Sequence, residues 1–158
     1  MKVQKLLRQI QSQQNLKEKG KQQKALVSES ELNSYVAYRI EVEKEEILRE
    51  LRFKLFEHNR IEGKMSLDLK NLDISNLFKR QIDLFFRAKL RVKEGKGKLK
   101  IQKLFLHQKP IQPAVLDMIA SAVSQKEDVE YKSLEDWYNL PYEIEDMETQ
   151  KGKLIIYY

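Results

Sequence analysis

Residues 81–106, QIDLFFRAKLRVKEGKGKLKIQKLFL, decide the fold, because their apolar side chains recur at every second position. Ile82, Leu84, Phe86, Ala88, Leu90 and Val92 fall on one side of an extended chain, and Asp83, Phe85, Arg87, Lys89, Arg91 and Lys93 on the other. Glu94-Gly95-Lys96-Gly97 supplies a turn in which both glycines can take positive φ. Residues 98–106 then return with Leu99 and Ile101 inward and Lys98 and Lys100 outward. The alternation slips at Lys103-Leu104, which predicts a β-bulge. The stretch therefore reads as a β-hairpin with one apolar and one basic face.

Working outward, Leu51, Phe53 and Leu55 alternate, residues 57–60 can turn, and Ile61, Met65, Leu67 and Leu69 follow, with Gly63 a candidate kink or bulge. This predicts a second hairpin, joined to the first by an irregular or short helical connector over 71–80. Before it, Ser28-Glu29-Ser30-Glu31 fits a capping box. It opens a helix with the stripe Leu32, Tyr35, Val36, Arg39 and Ile40, running into the acidic stretch 41–46. After the central hairpin, Pro113 suits a first helical position. Val115, Leu116, Met118, Ile119, Ala122 and Val123 make the helix that follows apolar nearly all round, as a helix covering apolar surface would be. A polar loop is expected over 125–132 and a capped helical turn over 133–137, ended by Pro141. A last hairpin over 142–158 ties the C-terminus into the sheet. The expected fold is α+β: a curved antiparallel sheet of three hairpins packed with two main helices, as one domain over 28–158.

The 158 residues are enough for one core, and 41% hydrophobic content is ordinary for such a domain. The absence of cysteine excludes disulfides, thiol catalysis and Cys-based zinc sites. No run approaches the roughly 18 apolar residues of a membrane span, and the start lacks the apolar core of a signal peptide. Of 30 basic and 24 acidic residues, seven and one fall in residues 1–24, leaving 23 of each for the rest. The pI near 9.3 thus reflects a basic, Gln-rich leader over 1–27, with Val3, Leu6, Leu7 and Ile10 at helical spacing. That spacing predicts a short amphipathic helix followed by a solvated tether.

Catalytic chemistry is scarce. His58 and His107 stand in turn or strand-end positions, far in spacing from any metal-ligand partner, and Glu41, Glu43, Glu45 and Glu46 read as a solvated face. There is no Gly-x-Ser-x-Gly elbow, no HExxH motif and no nucleotide loop. No catalytic residue, cofactor or metal is called for, and the expectation is a binding domain that is not an enzyme. Two surfaces offer themselves. An apolar groove between sheet and helices would draw its walls from Phe53, Leu55, Phe86, Leu90 and Leu106, with Leu116, Met118, Ile119 and Trp137 above them. The basic face carries Arg87, Lys89, Arg91, Lys93, Lys98 and Lys100, suited to an anionic membrane surface or, as the weaker alternative, to nucleic acid.

The run Ser28-Glu29-Ser30-Glu31-Leu32-Asn33-Ser34-Tyr35, then Pro110-Ile111-Gln112-Pro113, then Leu140-Pro141-Tyr142-Glu143-Ile144 with Gly152-Lys153-Leu154-Ile155-Ile156-Tyr157, resembles small exported bacterial proteins of the tubular lipid-binding type. The resemblance spans 28–158. It implies helices lying in a curved antiparallel sheet, an apolar groove for acyl chains, and a periplasmic setting once a signal segment is removed; without such a segment the setting is cytoplasmic. The partner expected is a lipid or other apolar molecule. A structural assembly role is a further alternative.

Overall fold

The central hairpin forms as its alternation predicts: in the computed structural model, which describes residues 2–13, 22–72, 80–127 and 136–158, it is the longest antiparallel pair. The elements in chain order are α1 (Lys2–Gln13), β1 (Lys24–Ser28), α2 (Glu29–Val42), β2 (Leu48–Leu55), β3 (Arg60–Asp68), β4 (Gln81–Lys93), β5 (Lys96–Leu106) and β6 (Lys109–Ile111). They continue with α3 (Ala114–Glu127), β7 (Tyr138–Asn139), a 3-10 turn at Pro141–Glu143, β8 (Asp146–Gln150) and β9 (Lys153–Tyr157). Residues 73–79 of the predicted connector, 128–132 of the predicted loop and 133–135 of the predicted helical turn lie outside the described residues. None of the described helices is long and apolar enough to cross a membrane.

The β4–β5 turn is tighter than the sequence suggests. Glu94 and Gly95 alone make it, with φ of 52° and 73°, the mirror-image turn whose twist matches the strands. Gly97 belongs to β5 instead: it is buried opposite Val92, and a Cβ there would come within 3.1 Å of Leu140 Cδ2. The bulge falls at Gln102, where pairing steps from Arg87↔Lys103 to Ala88↔Ile101. Gly63 is neither kink nor bulge, since β3 pairs without a break through it on both sides. It is glycine because the Phe86 ring lies over it, where any Cβ would collide.

The architecture is α+β and antiparallel, as expected, but the three hairpins do not share one sheet. β2-β3-β4-β5-β6, with β7 alongside β5, form a six-stranded sheet, while β1-β9-β8 form a second of three strands. Leu154, Ile155 and Ile156 are all buried, a run too apolar for an edge strand. β9 accordingly takes the centre, paired to β8 on one side and to β1, from Lys24↔Tyr157 to Ser28↔Lys153, on the other.

β1 moves the domain boundary upstream of residue 28. So does α1: Val3 and Ile10, seven residues apart on one face, are buried in the same cluster as Leu55, Leu90 and Ile156. A solvated leader would leave both exposed; instead the helix closes one end of the core, and Lys2 reaches Glu31 of α2 at 3.3 Å.

α2 opens on the predicted capping box, with Ser28 Oγ accepting from the Glu31 amide and Glu31 accepting from that of Ser28. It covers the edge of the large sheet. Asn33 pairs with the Phe53 backbone, accepting at 2.7 Å and donating at 2.9 Å, and Glu29 accepts from the Leu55 amide, so the outer rim of β2 is closed by side chains. α3 runs to Glu127, past the predicted loop start, and the unexpected strand β6 carries Pro110 on the sheet's far edge, where a missing amide costs no ladder bond.

Candidate ligand cavity and basic sheet face

The inner face of the large sheet has two roofs. Under α3, Leu84, Phe86 and Leu104 meet Leu116 and Ile119 in one buried cluster. Under the small sheet and α1, Leu55, Ile61 and Leu90 meet Val27, Leu154 and Ile156 in another. Phe53 and Leu99 touch both clusters, and the Phe53 and Phe86 rings meet edge to face with centroids 6.3 Å apart.

Between the large sheet and the second roof lies a cavity of about 390 Å³. Phe53, Leu55, Ile61, Leu90 and Leu99 form its floor, Met147 and Leu154 its ceiling, and Leu32, Leu140 and Tyr138 its sides. Its boundary is held by hydrogen bonds between elements. The Asn59 side chain accepts from the Thr149 amide, the Thr149 hydroxyl donates to the Phe56 carbonyl at 2.6 Å, and the Gly152 amide donates to the Leu55 carbonyl. On the opposite side the Leu140 amide donates to the Gly95 carbonyl. The first three bonds tie the β8–β9 hairpin to the end of β2 and the β2–β3 turn, and the last holds the chain after β7 against the large sheet's own β4–β5 turn.

Phe53, Leu55 and Leu90 of the sequence-predicted groove line this cavity. Phe86, Leu116 and Ile119 do not; they are packed under α3, with Leu106 at the margin of the same cluster and Met118 half-buried on the helix. The groove therefore lies beneath the small sheet and not, as the sequence suggests, beneath the helix that starts at Pro113. Trp137 is also misplaced in the sequence reading: it is 38% exposed, outside helical structure, with its ring 4.7 Å from the Lys98 ammonium. Leu32, Leu99, Leu140, Met147 and Leu154 were missed. Their apolarity is visible in the sequence, but only the facing of one sheet on the other brings them together.

The basic residues stand where the alternation puts them. Lys89, Arg91 and Lys93 lie directly opposite Lys100, Lys98 and Lys96, and Arg87 opposite Lys103. Arg87 pairs with Glu62 on β3 at 3.1 Å and, toward the β2 edge, Lys64 pairs with Glu50 at 3.8 Å. Among the described residues no carboxylate forms an ion pair with the three opposed pairs toward the hairpin end, and like charges directly opposite on a sheet destabilise it. These strands run past β3, whose pairing with β4 stops at Lys89.

Tyr138, 39% exposed, marks the open rim of the cavity. Burial raises its hydroxyl above the usual range, with the charges of Asp136 and Asp117 adding, so it remains a protonated donor. Among the described residues no cluster of His, Asp or Glu could hold a metal. Both histidines sit in exposed turns with positive φ, His58 at 61° and His107 at 55°. Comparison with protein-family models, curated proteins and solved structures gives no match.

Proposed function

We propose that the protein is a non-catalytic binding domain for a lipid or other apolar small molecule, held in the cavity between its two sheets. The observation that carries this reading is the lining: Leu, Ile, Phe and Met side chains form most of the wall of an open groove of about 390 Å³, a volume within the roughly 300–1,000 Å³ range of small-molecule sites. A groove lined in this way presents contiguous apolar surface that an apolar occupant would cover. Among the lining residues Lys98 and Tyr138 carry the polar side-chain groups, and the rest of the wall is apolar or glycine. The resemblance to exported tubular lipid-binding proteins supports the same ligand class and an envelope setting.

The test is uptake of a neutral apolar fluorophore or a fluorescent fatty acid. Wild type is expected to bind it saturably, and Leu99→Trp or Met147→Trp, which fill the cavity, to abolish binding while the fold is retained. Unchanged uptake in both variants would refute the site.

A further inference from the structure

We infer that the basic end of the β4–β5 hairpin docks on an anionic bilayer, with Trp137 and Tyr138 entering the headgroup region beside the cavity rim. The inference rests on the reading of that cavity as an apolar-ligand site, and adds to it the surface from which ligand is taken or to which it is delivered. Three cation pairs, Lys89↔Lys100, Arg91↔Lys98 and Lys93↔Lys96, stack along the outer face toward the turn. Like charges set directly opposite on a sheet are unfavourable in the isolated protein. An anionic surface relieves the repulsion of all three rows at once, which is the charge complementarity that fits the face to its partner.

The aromatics add a second observation. Trp137 and Tyr138 are adjacent, both exposed, and sit at this same end: Tyr138 pairs with Gly97, and the Trp137 ring lies beneath Lys98. Trp and Tyr beside lysines are the side chains that settle at a membrane–water interface. Lys98 borders both the cavity and a shallow depression on the basic face lined by Lys89, Arg91, Lys93, Lys100 and Trp137, so a bilayer contacting this end lies against the cavity's open rim. Phe85, 40% exposed, stands on the same face at the other end of the cationic rows, opposite Phe105, so the experiment sets a single-stranded oligonucleotide against the bilayer.

The experiment is flotation of the full chain with phosphatidylcholine vesicles, with and without phosphatidylglycerol, over a series of salt concentrations. Binding is expected only to the anionic vesicles, falling steeply with salt. Combined Lys89→Gln, Arg91→Gln, Lys93→Gln and Lys100→Gln substitution is expected to weaken it on the order of a thousandfold. Trp137→Ala should weaken it about tenfold, in keeping with loss of one interfacial aromatic. Fluorophore uptake from solution should be unaffected by any of these changes, which also reports that the variants are folded. Anionic-vesicle binding unchanged in the combined variant, or tighter binding of a single-stranded oligonucleotide than of anionic vesicles, overturns the inference. Uptake without vesicle binding overturns docking and leaves the ligand site standing; vesicle binding without uptake supports docking and removes the ligand site.

Discussion

The two halves of the large sheet's inner face are built from the same kinds of side chain, yet one is closed and the other holds a cavity. Under α3, Leu84 is 0% exposed and clusters with Leu116 and Ile119, while Phe86 fills the space left by Gly63 on the neighbouring strand. Under the small sheet, the roof is itself a sheet, tied to the large one by backbone and side-chain hydrogen bonds at Leu55, Phe56 and Asn59. A helix can settle until its side chains meet the floor. A sheet whose backbone is hydrogen-bonded to its neighbour at one end has less freedom to do so, and an open groove of about 390 Å³ remains beside it. The lesson is that open space need not come from small residues; it can come from a roof that hydrogen bonds tie to its neighbour at one end.

The sharpest way to break this contrast is truncation on each side. Phe86→Ala, in the closed half, is expected to cost about 3 to 5 kcal/mol in urea unfolding, because removal leaves a hole that nothing refills. Leu99→Ala, at the cavity, should fall near the low end of the usual range, about 2 kcal/mol, since that side chain already lacks neighbours on one face. Equal losses would mean that the two halves are packed alike.

Overpacking should show the reverse asymmetry. Leu116→Trp is expected to destabilise by about 1 to 3 kcal/mol, whereas Leu99→Trp should cost less while abolishing ligand uptake. Met118→Trp, on the half-buried side of α3, should leave uptake unchanged. Asn33→Ala tests the border itself. It leaves the Phe53 amide and carbonyl without their partner and should cost about 1 to 3 kcal/mol, with faster amide exchange along β2.

Acid should act on the same border more gently. Hydrogen bonding to Ser28, with Lys2 beside it, holds the Glu31 carboxyl below its ordinary 4.5 despite some opposing desolvation. A depressed carboxylate contributes stability that is present above 4.5 and lost as pH falls through the lower, folded-state value. Glu31→Gln should therefore flatten the acid limb of the stability curve without changing the plateau shape near neutrality. The smallest effect belongs to the outer face: Lys89→Ala should stay within about 0.5 kcal/mol, and toward stabilisation at low salt, because it relieves repulsion with Lys100.

Local patterns carried the hairpins and the capping box because strand alternation and a Ser-x-x-Glu spacing are short-range signals. Residues 81–93 could be sided, inward or outward, without reference to any other segment. Which sheet a strand joins is a long-range matter, and β9 reads no differently beside β8 than it does between β8 and β1. That ambiguity hid the second sheet. With it went the roof of the cavity, so Met147 and Leu154 were not legible as site residues while Phe53, Leu55 and Leu90 were. Val3 and Ile10 were read as an amphipathic stripe, but nothing in a 12-residue helix says whether its stripe meets water or a core. Gly97 misled for a related reason: a glycine next to a turn resembles a turn residue, and only Leu140, far along the chain, explains it.

The cavity's occupancy is tested most directly by native mass spectrometry of the purified protein, followed by extraction and identification of whatever is bound. The expected result is a population carrying one apolar adduct, recovered as a lipid or similar molecule and missing from Leu99→Trp and Met147→Trp. A mass equal to that of the bare chain, together with no saturable uptake of any added apolar probe, would contradict the proposal that the space between the sheets is a ligand site.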